Sequence, residues 1–109
     1  MTPDQLDDPD YPAYTTGGAA DALGVRQSFL RALDSAGAVS PQRSTGGHRR
    51  YTRRQLRYAR RIRELIDDGH TLHSALAILS LQDDLAAERD ITATLRREHS
   101  AEKPSEGAD

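Results

Sequence analysis

The middle third of this chain of 109 residues is a concentrated block of positive charge. Residues 26–63 contain eleven arginines and one acidic residue, whereas residues 1–25 contain five aspartates and no basic residue. Residues 64–109 are again net negative, so the formal charge of the whole chain is only −2 at pH 7. A local positive charge this high attracts polyanions and raises the rate at which they meet the chain, whatever the net charge of the whole chain.

Composition allows only a small core. Hydrophobic residues make up 36% of the chain and aromatic residues 5%, and the length suits one small domain plus tails rather than a multidomain enzyme. The absence of cysteine excludes disulfides, thiolate metal sites and cysteine nucleophiles. No apolar run approaches the roughly 20 residues of a membrane span. We therefore expect a soluble, cytoplasmic protein with no membrane contact.

Two short helices separated by a glycine are predicted within residues 14–37. Apolar residues recur at helical spacing in residues 19–23, and Gly24 follows where a C-cap glycine belongs. A second helix is predicted over residues 26–37, and residues 14–16 are predicted to be a short strand or an extended lead-in. Two short helices joined in this way are typical of a helix-turn-helix, although they also occur in other all-α proteins.

A basic, turn-rich segment follows at residues 38–51. Pro41 and the pair Gly46-Gly47 mark turns, so the only places for strands are Ala38-Val39 and residues 49–51. This pattern predicts a small basic β-hairpin, or wing.

A longer helix is predicted from about residue 53 to residue 67. Thr52 and Gln55 have the spacing of a capping box, and apolar residues then recur at helical intervals on one half of the helix. The other half carries Arg53, Arg54, Arg57, Arg60 and Arg61. Such a face is often simply solvated, but the near absence of acidic partners favours phosphate contacts for some of these arginines.

A final helix is predicted after Thr71, which can cap it. Its apolar residues follow an imperfect heptad pattern as far as Leu95. Two interpretations remain open: a helix that folds back on its own domain, or a short coiled coil with a second subunit through residues 72–97.

The order of several short motifs is distinctive. The motifs are Tyr14-Thr15-Thr16-Gly17-Gly18-Ala19-Ala20, Leu23-Gly24-Val25, Leu30-Arg31 followed by Gly37, Pro41-x-Arg43, Gly47-His48-Arg49-Arg50-Tyr51, and Gly69-x-x-Leu72. In this order and spacing, residues 14–81 resemble the MerR family of bacterial transcriptional regulators, whose DNA-binding domain is a winged helix-turn-helix. Residues 78–85 are similar to the heat-shock repressor branch, which lacks a large effector domain.

The resemblance implies a mainly α fold: a winged helix-turn-helix with a short basic β-hairpin wing and a C-terminal helix. Residues 13–81 would form this domain, and residues 82–99 a C-terminal helix with a possible role in dimerisation. Proline and acidic residues predict a disordered acidic arm at residues 1–12 and a disordered tail at residues 100–109.

Three features depart from the family pattern. Ala32 and Leu33 stand where aromatic residues commonly follow the Leu-Arg pair, and His48 stands where a ring usually follows the wing glycine. The chain also has no cysteine and stops at Asp109, so neither a cofactor nor metal or drug sensing is expected. His70 and His73 lack a third ligand of the usual kind, and adjacent carboxylates without a nucleophile do not indicate an enzyme.

In a winged helix-turn-helix, the start of the second helix enters the major groove. Arginine can pair with guanine and glutamine with adenine, so this helix can discriminate bases, while the wing suits phosphates or the minor groove. The predicted DNA-binding residues are Arg26, Gln27, Ser28, Arg31, Arg43, His48, Arg49, Arg50 and Tyr51, with additional phosphate contacts from Thr16, Arg53 and Arg57. A structural role for Arg31 and a core position for Tyr51 remain open.

Three functions are therefore weighed. The first is a sequence-specific regulator of transcription that binds double-stranded DNA, with RNA polymerase or another regulator as a further partner. The second is an excisionase-like architectural protein that bends DNA through cooperative filaments. The third is an interaction module that docks an acidic partner on the arginine face of residues 53–61.

Overall fold

The computed structural model describes residues 7–107, and side chains are described for residues 7–100. The elements, in chain order, are β1 (Tyr14–Thr15), α1 (Thr16–Leu23), α2 (Gln27–Ser35), β2 (Gln42–Arg43), β3 (Arg49–Tyr51), α3 (Arg53–Asp67) and α4 (Leu72–Gly107). The chain divides into two compact units, Met1–Ala75 and Leu76–Asp109. The first unit has the predicted mainly α architecture with a hairpin wing.

The helix-turn-helix pair forms where local signals predict it. The side chain of Thr15 caps α1 by accepting a hydrogen bond from the backbone N–H of Gly18 at 3.0 Å. Gly24 ends the helix in the left-handed conformation, with φ of 66°, and the N–H of Val25 donates to the carbonyl of Ala20 at 3.0 Å. The predicted C-cap is therefore confirmed, and α2 begins three residues later.

The wing belongs to a three-stranded antiparallel sheet in the order β1-β3-β2. Tyr14 is opposite Tyr51, and Gln42 is opposite Arg50. The prediction of a strand at Ala38-Val39 was wrong, because the backbone N–H groups of both residues donate to the carbonyl of Leu33 at the end of α2. These two residues complete the helix end, and strand pairing begins only at Gln42.

The core of the first unit lies between the helices and the sheet. Its buried apolar residues are Ala19, Ala20, Leu30, Leu33, Val39, Tyr51, Leu56, Ala59, Ile62 and Ala75. Tyr51 is the largest of the fully buried side chains, and burial raises the pKa of its phenol. The capping box is confirmed, since Gln55 N–H donates to Thr52 Oγ1 at 3.0 Å and Thr52 N–H donates to Gln55 Oε1 at 2.9 Å.

Helix α4 runs without interruption from Leu72 to Gly107. Thr71 caps it as predicted, accepting a hydrogen bond from the N–H of Ser74 at 3.1 Å. The helix shows no break at residue 81, and its backbone continues beyond residue 100 to Gly107, where a disordered tail was predicted. Residues 108 and 109 lie outside the described residues.

None of the described helices has both the length and the apolarity that crossing a membrane requires.

Residues 7–10 of the predicted disordered arm are in contact with the start of α3. The carbonyl of Pro9 accepts a hydrogen bond from the N–H of Arg54 at 3.0 Å, and Asp10 Oδ1 lies 2.6 Å from Arg54 Nε. The guanidinium of Arg53 donates to the carbonyl of Asp7 at 2.5 Å. These contacts span more than 40 residues of sequence, so composition does not reveal them; residues 1–6 lie outside the described part of the chain.

The attachment of this segment is expected to weaken in acid. The hydrogen bond from Arg54 lowers the pKa of Asp10 below its ordinary value of 3.8. The contact is therefore fully formed above that value and is lost as the pH falls through the lower pKa of the attached state. Titration of the Asp10 carboxyl by NMR should give a pKa below 3.8 that returns towards 3.8 in Arg54→Ala. The same titration curve in both proteins would contradict the contact.

Candidate nucleic-acid interface

A cleft of about 450 Å³ opens between the start of α1, the middle of α2 and the wing. Its lining residues are Thr15, Thr16, Gly17, Arg31, Gly47, His48, Arg49 and Arg50. The structure thus brings together five residues of the predicted DNA-binding set, which come from three separate elements. Three of the five are arginines, so the cleft is suited to an anion.

The N-terminus of α1 forms one wall of this cleft. Thr15 caps the helix, and Gly17 and Gly18 contribute no side chains beyond it. A Cβ atom added to Gly17 would lie 3.4 Å from Gln27 Nε2, and one added to Gly18 would lie 3.2 Å from Thr15 Oγ1. The first turn of α1 therefore has polar neighbours close by, but Gly17 and Gly18 place no side chain over its backbone. Backbone N–H groups at a helix N-terminus favour anions such as phosphate.

Helix α2 has a buried side and a polar, exposed side. Leu30 and Leu33 are buried, whereas the predicted base-reading residues Arg26, Gln27, Ser28 and Arg31 are all exposed. The guanidinium of Arg31 donates a hydrogen bond to Gln27 Oε1 at 3.0 Å. This contact positions the arginine and leaves the Gln27 amide nitrogen available, so the pair presents donors towards any ligand in front of the helix.

The wing is held against α2 by Asp34. Its carboxylate Oδ2 lies 2.7 Å from Arg49 Nε and 3.2 Å from Arg43 Nη2, and only 17% of the Asp34 side chain is exposed. Arg43 also donates to the carbonyl of Gly47 at 3.3 Å, which closes the wing on itself. Two of the predicted DNA contacts, Arg43 and Arg49, thus have structural partners in the unbound chain.

Sequence reasoning missed the role of Asp34, although a signal was present. Asp34 is the only acidic residue between residues 26 and 63. A single carboxylate inside such a basic block is expected to attract several arginines. Arg50 and His48, by contrast, form no ion pair with any residue that the structure describes, and both face the cleft.

The remaining predicted residues lie elsewhere. Tyr51 has no exposed surface, so it serves the core and cannot reach a duplex as predicted. Arg53 and Arg57 line a different depression, on the outer side of α3. Among the side chains of residues 7–100, no group of three His, Cys, Asp or Glu could hold a metal ion.

Residues 14–82 match the family profile of the MerR HTH family regulatory proteins. The chain belongs to the MerR family. The matched segment contains the cleft, the wing and the exposed side of α2 in full. The features assembled above are therefore those of a MerR helix-turn-helix domain.

Two relatives extend this assignment. The chain is 33% identical over 103 residues to a protein named putative heat shock protein HspR from Streptomyces coelicolor, covering 84% of this chain and 68% of HspR. It is 32% identical over 77 residues to the HTH-type transcriptional repressor CarH from Myxococcus xanthus, covering 69% of this chain and 26% of CarH. The predicted likeness to the heat-shock branch of the MerR family is consistent with the first match.

Solved structures support the fold. A MerR-family transcriptional regulator from Bacillus cereus superposes with a TM-score of 0.57 at 19% identity, covering 80% of this chain and 72% of that one. HiNmlR, described as a MerR family regulator lacking the sensor domain and bound to promoter DNA, gives a TM-score of 0.57 at 22% identity, covering 83% and 75%. At these identities the likeness establishes the winged helix-turn-helix fold.

Proposed function

We propose that this MerR-family chain is a sequence-specific regulator of transcription that binds double-stranded DNA through the cleft and the exposed side of α2. The observation that carries the proposal is the cleft itself, where the bare N-terminus of α1 meets Arg31, His48 and Arg50. Proteins fix their register on DNA through phosphate contacts of this kind and read sequence through side chains in the groove.

Base contacts are assigned to α2, and phosphate contacts to α1 and the wing. Helix α2 enters the major groove, where Arg31 is suited to a guanine edge and Gln27 to an adenine edge. Arg26 and Ser28 flank them at the start of the helix. Thr16 and the N–H groups of α1 receive one phosphate, and Arg50 and His48 on the wing contact the backbone or the minor groove.

The relatives support this role in binding rather than in catalysis. One is named a transcriptional repressor, and one related structure is described as bound to promoter DNA. A duplex ligand also favours a cytoplasmic location, with RNA polymerase or another regulator as a further partner.

Selection of duplexes from a random DNA library tests the proposal. Purified protein should enrich a defined motif, and the arrangement of half-sites reports on assembly. Inverted half-sites are expected for a two-fold dimer. Directly repeated sites with cooperative binding and measured bending would instead support the excisionase-like function, and the absence of any enriched motif would contradict sequence-specific binding.

We also propose that two copies associate through α4. Four large apolar side chains on this helix are exposed: Leu81 at 69%, Leu85 at 48%, Ile91 at 60% and Leu95 at 59%. At about 100° per residue they fall within an arc of about 120° on the helix surface. An apolar stripe of this width is suited to a partner helix.

The substitution Leu85→Glu is expected to dissociate the dimer, because it places a charge within the apolar stripe. Sedimentation equilibrium should shift from dimer to monomer, with a dissociation constant raised at least about tenfold, equivalent to about 1.4 kcal/mol. Ala86→Glu is the matched control, since this exposed residue lies on the opposite side of α4. Equal effects of the two substitutions would exclude the stripe as the interface.

Alanine at Arg50 is expected to weaken binding to every duplex to a similar extent. Loss of one phosphate contact should make the slope of log K against log salt shallower by about 0.9. Titrations of one specific and one random duplex over a range of salt concentrations measure this slope. Arg97→Ala, an exposed change of the same charge on α4, is the control; an unchanged slope in Arg50→Ala would remove Arg50 from the DNA surface.

A further inference from the structure

A second depression, of about 430 Å³, lies between the end of α1 and the outer side of α3. Its apolar residues are Ala22, Leu23 and Leu56, and its charged residues are Arg53, Arg57, Arg60 and Arg61. Within the part of the chain that the structure describes, no carboxylate contributes to this lining. We call this surface the α1–α3 groove; it is separate from the cleft proposed for DNA, and no residue is common to the two.

One end of the α1–α3 groove already binds an acidic peptide segment of the same chain. The carbonyl of Asp7 accepts a hydrogen bond from Arg53, and the carboxylate of Asp10 pairs with Arg54, the next residue of α3. Residues 7–10 read Asp-Asp-Pro-Asp. The fold therefore shows which chemistry this end of α3 accepts: a backbone carbonyl on Arg53 and a carboxylate on Arg54, both from an acidic turn.

The rest of the groove is not filled in this way. Arg57 and Arg60 are exposed and form no ion pair with the residues that the structure describes. Arg53 Nε is buried and has no hydrogen-bond acceptor within that same part of the chain. A buried donor without an acceptor is costly, so residues 7–10 satisfy this end of the groove incompletely and can be displaced by a better acceptor.

The apolar residues of the groove favour an acidic peptide over a DNA backbone as its ligand. A DNA backbone offers phosphates but no apolar side chain to cover the exposed Ala22 and the half-buried Leu23. An acidic peptide with leucine-like side chains offers both, because its apolar groups cover the floor while its carboxylates meet the guanidinium groups. Arginine and apolar surface side by side are typical of protein interfaces.

We propose that the α1–α3 groove is a docking site for an acidic, partly apolar peptide segment of another protein, and that residues 7–10 compete with this segment for the N-terminal end of α3. The site leaves the cleft and the exposed side of α2 open. A partner bound here can therefore remain on the protein while DNA is bound.

The test uses the full chain and a short fluorescein-labelled peptide that alternates aspartate with leucine. Fluorescence anisotropy should show binding of this peptide and much weaker binding of the same peptide with asparagine in place of aspartate. Arg60→Glu should weaken binding about fivefold or more, whereas Arg96→Glu, an exposed change of the same charge on α4, should have little effect. Asp10→Asn should strengthen binding about twofold to fivefold by releasing residues 7–10.

Several results would overturn the proposal. Equal binding of the two peptides would remove the carboxylates from the interaction, and equal effects of Arg60→Glu and Arg96→Glu would remove the groove. If Arg60→Glu instead lowered DNA affinity more than Arg96→Glu and left peptide binding unchanged, the groove would be a DNA surface. If the full chain enriches a DNA motif but does not bind the acidic peptide, the docking proposal fails and the proposed function in DNA binding stands.

Discussion

Replacing Tyr51 with alanine is expected to unfold the first unit under conditions in which the parent chain is folded. The ring is fully buried at the end of β3, opposite Tyr14 of β1. Removal of a large buried ring costs about 3–5 kcal/mol, whereas the whole stability of a small domain is about 5–15 kcal/mol. Because β3 is the central strand, its loss would also release the wing.

Urea denaturation followed by circular dichroism measures this effect. Tyr51→Phe is the matched control because it keeps the ring and removes only the buried hydroxyl, which has no hydrogen-bond partner of good geometry among the described residues. The phenylalanine variant should lose less than about 1 kcal/mol, since no satisfied hydrogen bond is broken. A phenylalanine variant as unstable as the alanine variant would show that the hydroxyl, and not the ring, stabilises the core.

Replacing Arg31 with alanine is expected to lower affinity for the selected DNA motif about tenfold to a hundredfold. A bidentate contact with a base edge contributes about 1–3 kcal/mol of discrimination. Affinity for random duplexes should fall only slightly, because the phosphate contacts of α1 and the wing remain. The ratio of the two affinities, measured at one salt concentration, is therefore the decisive quantity.

Two further variants sharpen this result. Arg31→Lys keeps the charge but not the planar pair of donors, so it should recover random binding and not discrimination. Gln27→Ala removes the side chain that accepts a hydrogen bond from Arg31, and it should reduce discrimination less than Arg31→Ala does. A uniform loss of affinity for all duplexes in Arg31→Ala would assign Arg31 to a phosphate instead of a base.

The helices could be predicted from the sequence because their ends depend on nearby residues. Thr52 and Gln55 lie three positions apart, and the conformation of Gly24 closes α1 within a few residues. Such signals do not depend on the rest of the fold. The same is true of Thr71 at the start of α4.

Short strands and distant contacts could not be predicted in this way. Gln42 becomes part of a strand only because it lies opposite Arg50, whereas Ala38-Val39, which includes the strand-favouring Val39, is taken up by the end of α2. The contact of Asp10 with Arg54 likewise depends on the finished fold. Burial also could not be predicted for the candidate site. Tyr51 has the residue type of a DNA contact, yet its position opposite Tyr14 on the central strand places its ring in the core.

If α2 reads bases as proposed, the ion pairs of Asp34 limit how many base pairs one copy can contact. Asp34 follows Arg31 by about one turn on the same side of α2, so the wing closes that end of the helix and leaves only its first turns open. Gln27 and Arg31 are separated by about 6 Å along the axis, at about 1.5 Å per residue, and base pairs are stacked about 3.4 Å apart. The open part of the helix thus spans two or three base pairs, by the same approximate spacing. A sequence of two or three base pairs recurs too often in a genome to specify one promoter. A specific binding site therefore requires two copies that bind two such half-sites at a fixed distance.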